Sequence, residues 1–290
     1  MSKPSIIVTG AHGQLGNELR VLSGNYPAFD FVLVDRDELS IDDAVAVRRW
    51  FEQHQPVYCI NCAAYTAVDK AETEKELAMM VNGEAPGILA AACTAFNTRF
   101  IHISTDYVFD GTATTPYLES DATSPVNYYG VTKLRGEQST LAGNPNAIIL
   151  RTAWVYSTFG HNFVKTMMRL MKEKQSLNVV NDQVGSPTYA RDLAQVILTI
   201  VDKTEKNAAA WVPGIFHYSN EGVISWYDFA VAIQQLTNSS CIVNGIPTSG
   251  YPTPARRPAY SVFNKEKIKA TYKITIPTWQ ESLAACVKNL

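Results

Sequence analysis

The sequence has few of the features that mark secreted, membrane-bound or nucleic-acid-binding proteins. Only five of its 290 residues are cysteine, and they are scattered, which excludes a scaffold built on disulfides. The formal net charge is −2, and no long run of one sign suggests a nucleic-acid arm or a polybasic membrane patch. No apolar run approaches the roughly 18 residues of a membrane span, and the N-terminal one is too short for a signal peptide. We expect a cytoplasmic protein with no nucleic-acid or membrane partner.

Cys59 and Cys62 form a C-x-x-C pair, which raises the alternative of a metal or redox site. The pair lies in a segment typical of a buried strand and the residues that follow it. Positions three apart on a strand face opposite sides, and no second pair completes a zinc site. We therefore interpret both as packed thiols in a reducing compartment, and we predict no metal site.

The first half of the chain alternates short β-rich runs with helix-like stretches. Strands are predicted over 5–9, 29–35, 57–61, 99–104 and 147–151, and helices over 13–23, 42–53 and 128–141, with a long alanine-rich segment at 67–96. Near-continuous apolar strands separated by helices favour a parallel sheet covered on both faces. Right-handed crossovers then give an α/β fold, a Rossmann-type doubly wound parallel sheet.

After about Arg151 the pattern loosens, and glycine, proline and tryptophan recur between helical stretches near 162–173, 189–202, 225–237 and 278–289. We interpret 1–151 as an NAD(P)-binding Rossmann domain and 152–290 as mainly a smaller C-terminal substrate-binding lobe. A segment of about 176–202 is expected to return to the first domain. No flexible linker separates the two.

A glycine-rich loop follows the first predicted strand and opens the first predicted helix, in the order Gly10, Ala11, His12, Gly13, Gln14, Leu15, Gly16. In that context its glycines permit a tight turn, a close approach of the backbone to a pyrophosphate, and packing of helix on strand. The helix N-terminus favours the anion. The loop therefore predicts a dinucleotide site.

Two adjacent residues at the end of the second predicted strand bear on the choice between NADH and NADPH. Asp35 stands where an acid would hold the ribose hydroxyls of the adenosine, whereas the adjacent Arg36 suits a 2′-phosphate. The two point in opposite directions, so NADH and NADPH both remain open, with NADPH slightly preferred.

Tyr129 and Lys133 form a Y-x-x-x-K pair at the start of a predicted helix, where residues four apart share a face. The lysine cation, with a positive nicotinamide ring, is expected to move the tyrosine pKa toward neutrality, so that the phenol can protonate a carbonyl oxygen as hydride arrives. The strand that ends at Ser104-Thr105-Asp106-Tyr107 supplies a hydroxyl beside it. We assign Thr105 to the substrate oxygen and the phenol, with Ser104 as the alternative.

Longer strings then resemble the dTDP-4-dehydrorhamnose reductases, within the extended short-chain dehydrogenases/reductases. They run nearly end to end: Asn61 to Glu72 (NCAAYTAVDKAE), Ser104 to Gly111 (STDYVFDG), Arg151 to Tyr156 (RTAWVY), Asp182-Gln183-x-Gly185-x-Pro187-Thr188, and Arg257-Pro258.

The resemblance implies reduction of the C4 keto group of dTDP-4-dehydro-L-rhamnose by NAD(P)H, giving dTDP-L-rhamnose for cell-envelope polysaccharide. By position, Thr105, Tyr129 and Lys133 take the catalytic roles. The implied cofactor contacts include Ile41, Ala63, Ala64 and Tyr65, and the implied contacts to the sugar nucleotide are Asp106, Trp154, Gln183 and Arg257. A homodimer is compatible with the sequence.

The sequence departs from the family in two places. Leu39-Ser40-Ile41-Asp42-Asp43 replaces the usual L-D-I-T-D, which bears on contacts to the adenine side of the cofactor. Glu18 matches one of the glutamates by which some members hold Mg²⁺, but Ala190-Arg191-Asp192 does not clearly supply another.

Two other functions remain alternatives. The first is another sugar-nucleotide reductase or epimerase of the same fold; an epimerase would recycle its cofactor rather than consume it. The second is a non-catalytic binding protein, since the regulatory subunit of methionine adenosyltransferase resembles this family.

Overall fold

Six parallel strands form the central sheet of the computed structural model, which describes residues 3–290. The strands of this sheet and of three two-stranded sheets are numbered together along the chain. They are β1 (Ser5–Thr9), β2 (Asp30–Val34), β3 (Tyr58–Asn61), β4 (Arg99–Thr105), β5 (Ile148–Thr152), β6 (Val155–Tyr156), β7 (Ser176–Val180), β8 (Val184–Gly185), β9 (Thr188–Tyr189), β10 (Gly214–Tyr218), β11 (Ile224–Ser225) and β12 (Ile242–Ile246). The order in the main sheet is β10-β5-β4-β3-β1-β2. The order in which successive strands are added to the sheet therefore reverses between β1 and β3, and ligands of such sheets bind at this point.

Helices cover both faces of this sheet. They are α1 (Gln14–Ser23), α2 (Ala44–His54), α3 (Lys75–Met79), α4 (Ala85–Ala95), α5 (Tyr128–Gly143), α6 (Phe163–Glu173), α7 (Ala190–Lys206), α8 (Trp226–Leu236), α9 (Glu266–Tyr272) and α10 (Trp279–Lys288). Alternation along β1 shows the two layers, since Ile6 and Val8 pack with α1 and α7, whereas Ile7 packs with α2 and α4. The predicted doubly wound α/β fold is confirmed.

The alanine-rich segment 67–96 is a succession of short elements rather than one helix. It comprises a 3₁₀ turn (Lys70–Glu72), α3, a π-helical turn (Met80–Glu84) and α4. Pro86, in the first turn of α4, has no N–H to continue the hydrogen bonds of the preceding turn. Asn82 lies in the π turn, and its side chain exchanges hydrogen bonds of 2.9 Å with the backbone N–H and C=O of Tyr65.

The second half returns to the main sheet more than once. β10, which the sequence analysis missed, pairs with β5 and is backed by α9. α7 packs on α1, whereas β7 pairs with β12 in a separate two-stranded sheet, and the return of 176–202 to the first domain stays a prediction. The division of the chain at residue 151 stays a prediction.

A second apolar cluster forms the core of the remaining region. It joins α6, α8 and α10 through side chains that include Val164, Phe229, Ile233 and Leu283. All five cysteines are free thiols, including Cys59 and Cys62. Between residues 3 and 290 no helix is both long and apolar enough to cross a bilayer.

Candidate active site

One cavity of about 1040 Å³ opens at the carboxyl ends of the central strands. It brings together most of the residues singled out from the sequence: Gly10, Gly13, Gln14, Leu15, Asp35, Arg36, Ile41, Ala63, Ala64, Tyr65, Ser104, Thr105, Asp106, Tyr129, Lys133, Trp154 and Arg257. The wall does not include His12, Gly16 or Gln183. A single cavity thus joins the glycine loop at one end to the Tyr–Lys pair at the other.

The glycine loop has no room for side chains at two of its positions. Gly10 has φ +69°, and a Cβ there would lie 2.6 Å from the backbone nitrogen of Ala63. A Cβ on Gly16 would overlap the carbonyl oxygen of Gly10 and lie 2.8 Å from Ala11 Cα. Gly16 therefore packs α1 against the loop, and the helix N-terminus that follows Gly13 faces the cavity. Because free N–H groups at a helix start favour anions, this cradle fits the diphosphate of a dinucleotide.

Asp35 is held by the backbone around it. Its carboxylate accepts hydrogen bonds from the N–H of His12 (2.9 Å) and the N–H of Arg36 (2.8 Å). The side chain of Arg36 is exposed at the rim of the cavity. The imidazole of His12 also lies near this carboxylate, with Nδ1 3.4 Å from Asp35 Oδ2, while Arg36 remains available to an anionic ligand.

The Tyr129–Lys133 pair lies in the first turns of α5. Asn127 caps this helix by accepting the N–H of Gly130 at 2.8 Å, which sets Tyr129 at its start. Lys133 Nζ donates to the carbonyl oxygen of Ile103 at 2.7 Å. Burial lowers the pKa of Lys133 to about 8, so it is a cation at neutral pH.

Burial also raises the pKa of Tyr129 to about 12, against the lowering effect of the Thr105 hydroxyl. The Asp106 carboxylate adds to the rise. The lowering of the Tyr129 pKa by Lys133 together with a positive nicotinamide ring stays a prediction.

Thr105 and Asp106 close the end of β4. The Thr105 hydroxyl donates to Asp106 Oδ1 at 2.9 Å and accepts the N–H of Tyr107 at 3.3 Å. Burial raises the pKa of Asp106 to about 6, and the hydrogen bond from Thr105 opposes the rise. The Ser104 hydroxyl instead donates to Glu137 Oε1 at 2.5 Å, so Thr105 is the hydroxyl beside the phenol.

The predicted substrate residues differ in their surroundings. Trp154, in the left-handed region at φ +50°, stacks on Trp226 with ring centroids 3.6 Å apart. Arg257 forms a two-pronged ion pair with Asp69, with N–O distances of 3.0 and 2.8 Å. Gln183 is buried outside the cavity wall and donates to Thr248 Oγ1 at 3.1 Å, so a direct contact to substrate has no geometric support.

Several cavity residues were missed by sequence reasoning. Trp226 and Phe163 extend the aromatic wall, and Leu77, Val81 and Tyr107 line other parts. Trp226 is the first residue of α8 and directly follows the N-cap Ser225. The capping box of Ser225 with Asp228 marks a helix start but carries no sign of a ligand site.

Glu18, the residue that matches a metal-binding position in some relatives, is buried and accepts a hydrogen bond from Ser157 Oγ at 2.6 Å. Burial raises the pKa of its carboxyl, and Arg191 opposes the rise. Across residues 3–290 no cluster of three or more His, Cys, Asp or Glu side chains has the arrangement of a metal site.

Known proteins of one family are similar to this chain over nearly its whole length. The family described as the RmlD substrate binding domain matches residues 4–290. The dTDP-4-dehydrorhamnose reductase of Burkholderia thailandensis is 41% identical over 300 aligned residues, with 98% of both chains covered. The chain belongs to the dTDP-4-dehydrorhamnose reductase family.

Solved structures of the family agree with this assignment. The Clostridium acetobutylicum reductase superposes with a TM-score of 0.92 at 42% identity, covering 98% of this chain and 99% of that one. The Bacillus anthracis reductase, crystallised with NADP, gives a TM-score of 0.94 at 35% identity over the full length of both. A UDP-glucose 4-epimerase from Thermus thermophilus, at 18% identity and a TM-score of 0.80, shares the fold alone. The resemblance stated from the sequence is confirmed.

Proposed function

We propose that this protein is a reductase that converts the C4 keto group of dTDP-4-dehydro-L-rhamnose to a hydroxyl with NADPH or NADH, giving dTDP-L-rhamnose. The observation that carries the proposal is the meeting of Thr105, Tyr129 and Lys133 in the cavity that the glycine loop also lines. Membership of the family supports the choice of substrate.

The cofactor would be held by the loop from Gly10 to Leu15, by Asp35 or Arg36 at the adenosine ribose, and by Ala63, Ala64 and Tyr65 along its middle. When bound, its reduced nicotinamide supplies the hydride for the keto carbon. The NADP-bound relative supports NADPH. Arg36 also supports it, because an exposed guanidinium at the cavity rim suits a 2′-phosphate.

The proton comes from the chain itself. Tyr129 donates its phenolic proton to the keto oxygen, and the Thr105 hydroxyl hydrogen-bonds that oxygen and fixes its position. Lys133, held at the Ile103 carbonyl, would place a positive charge on the same face of α5 as the phenolate left behind. One proton thus reaches oxygen while carbon is reduced, and solvent returns a proton to Tyr129 after product leaves.

The other predicted contacts follow from side-chain chemistry. The stacked indoles of Trp154 and Trp226 offer an apolar wall to the methyl group of a 6-deoxysugar. Asp106 can accept a sugar hydroxyl. Arg257 suits the diphosphate, to which its guanidinium would turn while remaining beside Asp69.

The deciding experiment generates dTDP-4-dehydro-L-rhamnose in place from its precursor and follows the absorbance of NADPH and of NADH. Oxidation of the cofactor with formation of dTDP-L-rhamnose is the expected result. Interconversion of sugars without net cofactor loss would indicate an epimerase. Tight cofactor binding without turnover of any keto-sugar nucleotide would indicate a binding role.

A cytoplasmic location, consistent with five free thiols, belongs to the same proposal. So does a homodimer, which sedimentation at several protein concentrations would test.

A further inference from the structure

Glu137 is a buried acid that the proposed chemistry does not use. It lies on α5 four residues after Lys133 and eight after Tyr129, so all three share one face of the helix. Its carboxylate accepts three hydrogen bonds, from Ser104 Oγ (2.5 Å), Arg151 Nε (2.8 Å) and Arg151 Nη2 (2.7 Å). Three of the roughly four lone-pair directions of the carboxylate are therefore used.

The partner of Glu137 is equally well fixed. Arg151 is 2% exposed, its guanidinium lies over the ring of Phe109 at 5.0 Å, and its Nη1 is 3.5 Å from His217 Nε2. Burial of an ion pair removes two charges from water, and a well-packed apolar pair is often as stable. Stability alone is thus a weak reason for this pair, and its place beside the reactive residues suggests another.

Two side chains of α5, Lys133 and Glu137, bind consecutive residues at the end of β4. Lys133 Nζ binds the Ile103 carbonyl at 2.7 Å, and Glu137 receives the hydroxyl of Ser104, the next residue. Thr105 follows directly. Because side chains of α5 form hydrogen bonds with two successive residues of β4, they fix the distance between the Thr105 hydroxyl and the phenol of Tyr129.

Glu137 also bears on the charge of Lys133. Burial lowers the pKa of Lys133, and the Glu137 carboxylate is the neighbour that most opposes this fall. The other titratable or charged groups around the ammonium are Cys62 on the loop after β3, His102 on β4, Tyr129 on α5 and Arg151 on β5. Burial raises the pKa of the Cys62 thiol and lowers that of His102, so both are neutral near pH 7.

We propose that Glu137 is a positioning residue of the reductase site, which holds the end of β4 against α5 through Ser104 and places a negative charge one helical turn from Lys133. This inference rests on the proposed reductase function. It predicts that the two contributions separate in two substitutions, one that removes the charge and one that removes only the hydrogen bond to the strand.

The test compares Glu137→Gln, which keeps the shape and an acceptor oxygen, with Ser104→Ala, which keeps the charge. In Glu137→Gln, the alkaline limb of the kcat/KM profile should move to lower pH by about one unit or more, because an unsupported buried lysine loses its proton sooner. In Ser104→Ala, kcat should fall about tenfold while the alkaline limb stays in place. Glu84→Gln is the matched control. Glu84 is an exposed acid outside α5, and its carboxylate lies 3.4 Å from Arg135, which is on α5 like Glu137. This substitution should change neither kcat nor the alkaline limb.

A second measurement does not depend on turnover. The affinity for NADPH, followed by its fluorescence from about pH 6 to about pH 10, should weaken as Lys133 loses its charge. That weakening should begin at lower pH in Glu137→Gln than in wild type. If Glu137→Gln does not fold, Glu137→Gln/Arg151→Gln removes both charges and should show the same direction, since Glu137 is the charged neighbour with the larger effect on Lys133.

Failure of the inference and failure of the proposed function give different results. Wild-type protein that binds NADPH but turns over no keto sugar contradicts the function and leaves the binding titration to judge Glu137. Equal alkaline limits in wild type and the Glu137 variants, in turnover or binding, overturn the electrostatic part. A Ser104→Ala variant with wild-type kcat overturns the positioning part, and one that shifts the alkaline limb as Glu137→Gln does overturns their separation.

Discussion

The hydroxyl of Thr105 donates a hydrogen bond to Asp106, whose carboxylate lies 2.9 Å away at the end of β4. Asp106 is 2% exposed, and among residues 3–290 its second oxygen, Oδ2, has no hydrogen-bond partner by geometry. Burial raises its pKa to about 6, so near pH 7 the site holds an ionised carboxylate with incomplete hydrogen bonding. Such a group opposes folding, and its presence in the cavity suggests that a ligand hydroxyl completes its bonding.

Asp106→Asn is expected to stabilise the protein near neutral pH. A carboxyl whose pKa is raised on folding favours the folded state at low pH, and this contribution is lost as pH rises through the folded value of about 6. The unfolding free energy of the variant should therefore gain on wild type by about 2 kcal/mol between about pH 4.5 and about pH 7.5. Urea unfolding across this range measures the difference. Asp30→Asn, at an exposed position on β2, is the control, and an equal pH dependence in wild type and Asp106→Asn would contradict the prediction.

Tyr129→Phe should abolish most turnover without disturbing the cofactor site. Loss of the proton donor is expected to lower kcat by about 10²- to 10⁴-fold, while NADPH affinity stays within about threefold. The neighbouring tyrosine offers a matched control, since Tyr128 lies under the Lys75 ammonium at 5.2 Å and does not line the cavity. Tyr128→Phe should retain near wild-type kcat. Similar activities of the two variants would remove Tyr129 from the proposed role.

Arg36→Gln should separate the two cofactors. An exposed guanidinium that meets a 2′-phosphate contributes about 1.5–3 kcal/mol, so the KM for NADPH should rise about ten- to a hundredfold while that for NADH changes little. Arg48→Gln, an exposed arginine on α2 that is not part of the cavity wall, should alter neither constant. A parallel loss with both cofactors would show that Arg36 does not read the phosphate.

Gly16→Ala should damage the protein before any ligand is added. Its Cβ would meet the Gly10 carbonyl and Ala11 Cα, both backbone atoms that cannot move without shifting the loop. We expect a loss of about 2 kcal/mol or more in unfolding free energy, together with weakened NADPH binding. Gly24→Ala, where a Cβ would contact only Val21 O at 3.9 Å and φ is −59°, should be neutral or slightly stabilising. Thermal unfolding of both variants tests the contrast.

The elements that the sequence predicted well are those encoded by neighbouring residues. β1 to β5 and the helices at Gln14–Ser23 and Tyr128–Gly143 lie within two residues of their predicted bounds, because apolar periodicity and caps such as Asn127 act over a few positions. β10 was missed, because a short edge strand that follows Trp-Val-Pro has little periodicity to detect. Within the alanine-rich segment 67–96 the sequence predicted no separate elements, because the alanine content hides the break at the π turn.

Within the cavity the same distinction holds. The Tyr–Lys spacing and the glycine loop could be read from consecutive residues, whereas Gln183 was placed beside substrate by family position and lies outside the cavity wall. Trp226 was missed because its indole reaches Trp154 from another part of the chain. No local pattern reports such a contact.

The sequence by itself determined the first five strands of the main sheet, the cradle at Gly10 and Gly16, and the shared helix face of Tyr129 and Lys133, because each depends on apolar periodicity, backbone sterics or helical spacing within one short segment. Only the tertiary structure decided that Glu137 would accept a hydrogen bond from Ser104 and form an ion pair with Arg151. It alone also decided that burial would raise the pKa of Asp106 and of Tyr129. Burial and the distances between charges are set by elements far apart in the chain, and they exist only once those elements have packed together.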